Sequence, residues 1–291
     1  MLTSLFSIIA PVIVCAAIGF AWAKSGRRFD TELVIALVSN IGAPCLVFVT
    51  LVEVEIELAA LARLALATAL AMAGFAAVGA AALGVLGLSQ RAFLPSIIFP
   101  NTGNMGLPLC LLAFGEVGLA LAIAYFTVSA AAQFMIGPTI AAGTLNPGAL
   151  ARVPILYAVP AALVFTLGGV PVPEWLLNTT RLLGGMAIPL MLIALGISLA
   201  SLRVGNLRHS VLLASLRLIA GFAVGLLVSA VLDLGPVERG VVVVQSAMPV
   251  AVFNFLFAQR YRTQPAEVAG LVVISTLLSF ATLPALMAFL L

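Results

Sequence analysis

Charge is what this 291-residue sequence lacks most. Asp, Glu, Lys and Arg together make up 8% of it, while 64% is hydrophobic and the mean hydropathy is +1.28. A soluble domain of this size cannot cover its surface with so few charges. The single histidine, His209, lies in a basic loop, which excludes a centre built on several histidine ligands. Cys15, Cys45 and Cys110 fall within apolar runs and show no CxxC spacing, so neither a disulfide framework nor a metal site is expected. No Ser/His, Asp/Asp or metal constellation is available for catalysis, so no enzyme activity and no cofactor are expected. No Asp or Glu falls well inside an apolar run, which removes the carboxylates that a proton relay needs. The pI near 9.1 carries little weight with so few charges, and no nucleic-acid partner is expected.

What is present is a succession of apolar runs of bilayer length, the pattern of a polytopic all-α membrane protein whose main partner is lipid. Ten spans can be drawn: roughly 3–23, 31–52, 60–87, 91–114, 117–142, 153–169, 176–200, 208–232, 239–260 and 266–291. The first lacks a basic n-region and a small-residue cleavage site, so it reads as a retained span. Loops are short, with an Asn146-Pro147-Gly148 turn before Arg152. Lys24, Arg27, Arg28, Arg91, Arg152, Arg203, Arg208, Arg260 and Arg262 follow odd-numbered spans. Arg63, Arg181 and Arg239 lie on the other side with most acids, among them Glu53, Glu55, Glu57 and Glu238. The positive-inside rule puts the odd exits in the cytoplasm and both termini outside a cell membrane.

Prolines repeat between the halves. Pro11 pairs with Pro160, Pro44 with Pro189, Pro100 with Pro249 and Pro138 with Pro284, all at offsets of 145–149 residues and all in equivalent spans. Two five-span halves, 1–145 and 146–291, must have opposite topology because five is odd. An inverted repeat with corresponding interrupted helices is the plan of secondary transporters that bind substrate near the midplane.

The sharpest interruption is in span four, Pro100-Asn101-Thr102-Gly103-Asn104-Met105-Gly106-Leu107-Pro108. Pro100 and Pro108 remove backbone donors, Gly103 and Gly106 loosen the chain, and Asn101, Thr102 and Asn104 bring hydrogen-bonding groups. Within a bilayer such backbone survives only inside protein or along a wet cavity. Span nine has a matching break at Pro249, with Gln245, Ser246 and Asn254 nearby. One proline and no glycine predict a gentler break there. If the two cross, half-helix amino ends with free N–H groups meet and favour an anion. Asn40, just before Pro44, is a further candidate ligand.

The span-four stretch and Gln245-Ser246-Ala247-Met248-Pro249, followed by Phe257-Ala258-Gln259-Arg260-Tyr261, resemble the fourth- and ninth-helix motifs of the auxin efflux carrier family. That family includes plant PIN proteins and bacterial permeases. Arg217-Leu218-Ile219-Ala220-Gly221 looks like its eighth-helix signature. The long cytoplasmic loop of some plant members is absent, so the chain resembles the short bacterial form. The resemblance implies a scaffold of spans one, two, six and seven that forms a homodimer. It also implies a transport domain of spans three to five and eight to ten that moves as an elevator. The expected function is transport of small organic anions, with Asn101 at the substrate carboxylate beside the crossing prolines.

Arg217 is the one ionisable residue deep in a span. It is either a counter-charge for substrate or a donor to carbonyls freed by the breaks. Gln133, Tyr125, Thr127 and Ser129 of span five could line the path. Two other functions are compatible with the same residues: a sodium-coupled symporter of the bile-acid type, and a membrane ligand sensor that does not transport.

Overall fold

The computed structural model describes residues 2–54, 57–143 and 153–290. Glu55, the Asn146-Pro147-Gly148 turn, Arg152 and the expected boundary between halves lie outside the described residues. Lipid offers no hydrogen bonds, so apolar runs must satisfy their backbone internally, and the described chain is helical with no strand. In order, the helices are α1 (Leu2–Lys24), α2 (Thr31–Leu37), α3 (Ala43–Glu53), α4 (Leu58–Leu86), α5 (Gln90–Ile98), α6 (Leu107–Ala142) and α7 (Ile155–Gly168). They continue with α8 (Glu174–Gly185), α9 (Ala187–Ser201), α10 (Leu207–Val231), α11 (Pro236–Ser246), α12 (Phe253–Tyr261) and α13 (Pro265–Leu290). Polar caps sit at the loop ends: Asp30 accepts from the Leu33 N–H, Ser89 from Ala92 and Asn206 from His209.

Among the described residues, seven helical stretches are long and apolar enough to cross a bilayer, the shortest being Phe6–Lys24 at 19 residues. The ten expected spans exceed that number for three reasons. The helix Ile155–Gly168 is apolar but short. The ninth expected span is split into α11 and α12. The second half of the fourth runs on into the fifth as α6, through Gly115 at φ 66° and ψ −161°. Only glycine takes that backbone geometry without strain, so Gly115 is where the sequence permits the break.

Two further interruptions follow from proline. Pro44 has no N–H to give the carbonyl of Asn40, and the chain answers with a π-helical turn, Val38–Gly42, ahead of α3. Pro189 likewise leaves the Gly185 carbonyl unbonded by its own amide, and the α8–α9 junction falls at Met186.

The helices sort into groups. α1 lies along α9, and α3 lies along α7 and α8. Gly19 and Gly196 let α1 and α9 approach backbone to backbone: a Cβ at Gly19 would stand 2.9 Å from the Ile193 carbonyl carbon, and one at Gly196 would stand 2.8 Å from the Phe20 nitrogen. The second group joins α4, α5, α6, α10, α11 and α13. Arg63 pairs with Glu238 at 2.7 Å, and Arg181 pairs with Glu53. Elsewhere Arg91 donates to the Ala141 and Ala142 carbonyls, and Glu267 accepts from the Asn206 N–H. Arg91, Ala142, Asn206 and Glu267 all belong to connections that the charge count assigns to the opposite side from Arg63 and Arg181.

Candidate functional site

A residue before proline is pushed out of the α region, and Phe99 is extended at φ −102° and ψ 99°. α5 ends there. α11 ends at Ser246, three residues before Pro249, with Ala247 at φ −82° and ψ 2°. The two freed segments then pair antiparallel, Pro100 opposite Val250. The Asn101 N–H donates to the Pro249 carbonyl at 2.7 Å, and the Ala251 N–H to the Phe99 carbonyl at 3.2 Å. Neither proline lacks anything here, because the donors come from the neighbouring residues. The Val250 N–H finds the Ser275 hydroxyl of α13 at 3.1 Å.

The ninth-span break is not the gentler one. Six residues, 247–252, leave the helix there, whereas in span four only 99–101 do before a π-helical turn, Thr102–Gly106, starts α6. Gly103 and Gly106 serve close packing more than opening. Phe126 lies 3.0 Å from a Cβ built on Gly103, and the Gln245 carboxamide carbon 2.8 Å from one on Gly106. The backbone pairing and Ser275 hold the longer break open without glycine. Pro108 follows the π-helical turn Thr102–Gly106 as Pro44 follows Val38–Gly42, and it likewise has no N–H to give the carbonyl four residues back, that of Asn104.

Most of the candidate polar residues face the interior around the crossing. Asn254 donates to the Phe99 carbonyl at 3.1 Å and accepts from Gln133 at 3.5 Å. Ser246 and Tyr125 share a hydrogen bond at 3.0 Å. Gln245 is fully buried and reaches the Ala122 carbonyl at 3.5 Å. Arg217, also fully buried, donates to the Ser246 carbonyl at 2.7 Å, with its guanidinium 4.4 Å from the centre of the Phe75 ring. Thr127 bonds back to the Ile123 carbonyl of its own helix. Asn101 and Thr102 are buried, and the Asn101 Nδ2 has no acceptor among the described residues.

Asn104 alone of these opens onto a cavity, of about 30 Å³. That cavity separates the crossing from the first helix group. Asn104, Val252, Phe253 and Leu256 wall it on one side; Val34, Ile35, Val38, Ser39, Met191, Ala194 and Ser198 wall it on the other. Two π-helical turns thus look onto one space, one carrying Ser39 and the other Asn104. Both half-helix starts reach it, α6 through the turn at Asn104 and α12 at Phe253. Its lining has no acid and no base. Asn40 is exposed, and its neighbour Ser39 lines the cavity instead. The extra residue in a π-helical turn rotates the flanking face by about 100°, a shift that α-helical periodicity does not anticipate. Ser39, Ser198, Ser275 and Phe75 were not singled out from sequence. The proline at 44 is the signal that could have pointed to Ser39.

A family model described as membrane transport protein matches residues 4–148 and 147–287. An uncharacterized transporter of Methanocaldococcus jannaschii is 26% identical over 191 residues, 62% of this chain and 61% of its own. An uncharacterized transporter of Methanothermobacter thermautotrophicus is 29% identical over 197 residues, 63% of each chain. The chain therefore spans about three fifths of the length of the curated relatives it matches.

Proposed function

We propose, because this chain belongs to the membrane transport protein family of auxin efflux carriers and their relatives, that it is a secondary carrier for small organic anions, carboxylates above all. It is a multi-pass membrane protein. The observation that carries the substrate class is the acid-free cavity onto which two half-helix starts open. Amide N–H groups and the positive ends of helix dipoles attract an anion there, and Asn104 adds a neutral donor. Asn101, Thr102, Gln245, Ser246 and Asn254 frame the crossing behind it, and Pro100, Gly103, Gly106, Pro108 and Pro249 shape it.

A space of about 30 Å³ holds roughly one water, so a carboxylate enters only when the two walls part. Alternating access is then movement of one helix group against the other. In this reading the chain has ten spans in an inverted 5+5 repeat, 1–145 and 146–291. Spans one, two, six and seven form a scaffold that dimerises, and the rest form an elevator-type transport domain. The helix pairings support the repeat. Exchanging the halves carries the α1–α9 contact onto the α7–α3 contact, and the α4–α6 contact onto α10–α13. The loops rich in arginine face the cytoplasm and both termini face outward.

The test is uptake of labelled acetate, malonate and benzoate into proteoliposomes. Uptake above empty vesicles is expected, lowered by Asn101→Ala and by Asn104→Ala and unchanged by Asn40→Ala. Normal uptake in both the Asn101 and Asn104 variants refutes the site. Saturable binding without flux under any gradient refutes the carrier and leaves a sensor.

A further inference from the structure

Arg217 is the only charged side chain among the buried described residues. No carboxylate meets it: the ion pairs between described side chains, Arg63–Glu238 and Arg181–Glu53, join partly exposed groups. Its one hydrogen bond between described residues runs from Nη2 to the carbonyl of Ser246, at 2.7 Å. Ser246 is the last residue of α11, so that carbonyl belongs to the negative end of a half-helix with no following turn to bond it. α10 comes close enough because Gly221, one turn beyond Arg217, has no side chain. A Cβ there would stand 3.1 Å from the Ser246 carbonyl carbon. Phe75 supplies a ring face under the guanidinium in place of a carboxylate.

Freed carbonyl ends at broken helices are places where transporters hold a mobile sodium ion or proton. At this crossing both carbonyl ends already have resident donors. The carbonyl of Phe99 accepts from the Asn254 side chain and from the Ala251 N–H. The carbonyl of Ser246 accepts from a full positive charge carried by the chain itself.

We propose that the Arg217 guanidinium is a tethered counter-cation for the carbonyl end of α11, so that the crossing takes its anion without a co-bound sodium ion. The anion part of this statement rests on the carrier reading above. A guanidinium with no carboxylate leaves the interior one positive charge in excess, which an arriving carboxylate offsets. Arg217 is thus a positioning residue that acts through the α11 carbonyl end.

The experiment is thermal unfolding of the purified full chain in detergent, followed by tryptophan fluorescence. Sodium, potassium, choline and guanidinium chlorides are compared at equal millimolar concentration, with no carboxylate present. Wild type and Arg217→Lys are expected to melt at the same temperature in every salt. Arg217→Ala is expected to melt lower and to recover part of that loss in guanidinium, and a smaller part in sodium, but none in choline. A purely packing role predicts the same loss in every salt, and that result overturns the proposal. So does a saturable, sodium-specific rise in Tm of wild type or Arg217→Lys, which decides the matter even if the alanine variant fails to accumulate. Failure of the carrier reading shows instead in the vesicle uptake assay, which these salts do not enter.

Discussion

The close backbone approach of α10 to the end of α11 is open to a one-methyl test. In Gly221→Ala, the new Cβ would lie 3.1 Å from the Ser246 carbonyl carbon, 3.2 Å from the Ala247 Cα, and closer still to the Ser246 oxygen. These are backbone atoms, and the strand-like pairing of Pro100 with Val250 a few residues on limits how far they can turn aside. Restoring ordinary contact requires α10 to retreat by roughly 1 Å. Overpacking of this kind costs about 1–3 kcal/mol. The retreat also stretches the 2.7 Å bond from Arg217 to Ser246, and hydrogen bonds to charged groups are worth about 1.5–3 kcal/mol. The expected loss is therefore roughly 2.5–6 kcal/mol. Gly84→Ala is the matched control, because a Cβ there meets nothing within 4 Å, and its effect should stay within about 1 kcal/mol of zero. Unfolding in mixed micelles, titrated with a denaturing detergent, reads the difference. If the two variants unfold together, the close approach of α10 to the α11 end does not hold the crossing, and the reasoning fails.

Asn254→Ala leaves the Phe99 carbonyl with the Ala251 amide alone and deprives Gln133 of its acceptor, so a loss of about 1–3 kcal/mol is expected in the same titration. A wild-type transition would show that the crossing does not need the side chain. Pro44→Ala restores an N–H for the Asn40 carbonyl, which lets the π-helical turn relax to α-helix and rotates Ser39 away from the cavity by about 100°. Folding should be retained while carboxylate uptake falls, and unchanged uptake would separate the turn from the site.

Much of this protein is legible in its residues. Apolar runs near 20 residues dictate helices, since a bilayer leaves the backbone no other partner. Pro100 and Pro249 mark the two breaks because each deletes a donor and expels its predecessor from the α region. The fourth- and ninth-span motifs point to the same family that the matched residues establish. The breaks themselves were less legible, because glycine content misjudged their relative size. The length of the ninth is set by partners distant in sequence, Phe99 and Ser275.

By itself, then, the sequence determined that the chain is a polytopic helical membrane protein, and where its helices are interrupted. Those properties depend on neighbours along the chain and on the solvent. Only the tertiary structure decided which polar groups face the cavity and which are consumed inside. Asn104 and Ser39 reach the cavity, whereas Ser246, Gln245 and Asn254 answer backbone and side chains more than a hundred residues away. The reason is that a freed carbonyl or amide in lipid takes whatever partner the packing of other helices brings. That partner is chosen by close approaches such as Gly221 against Ser246, not by any local rule.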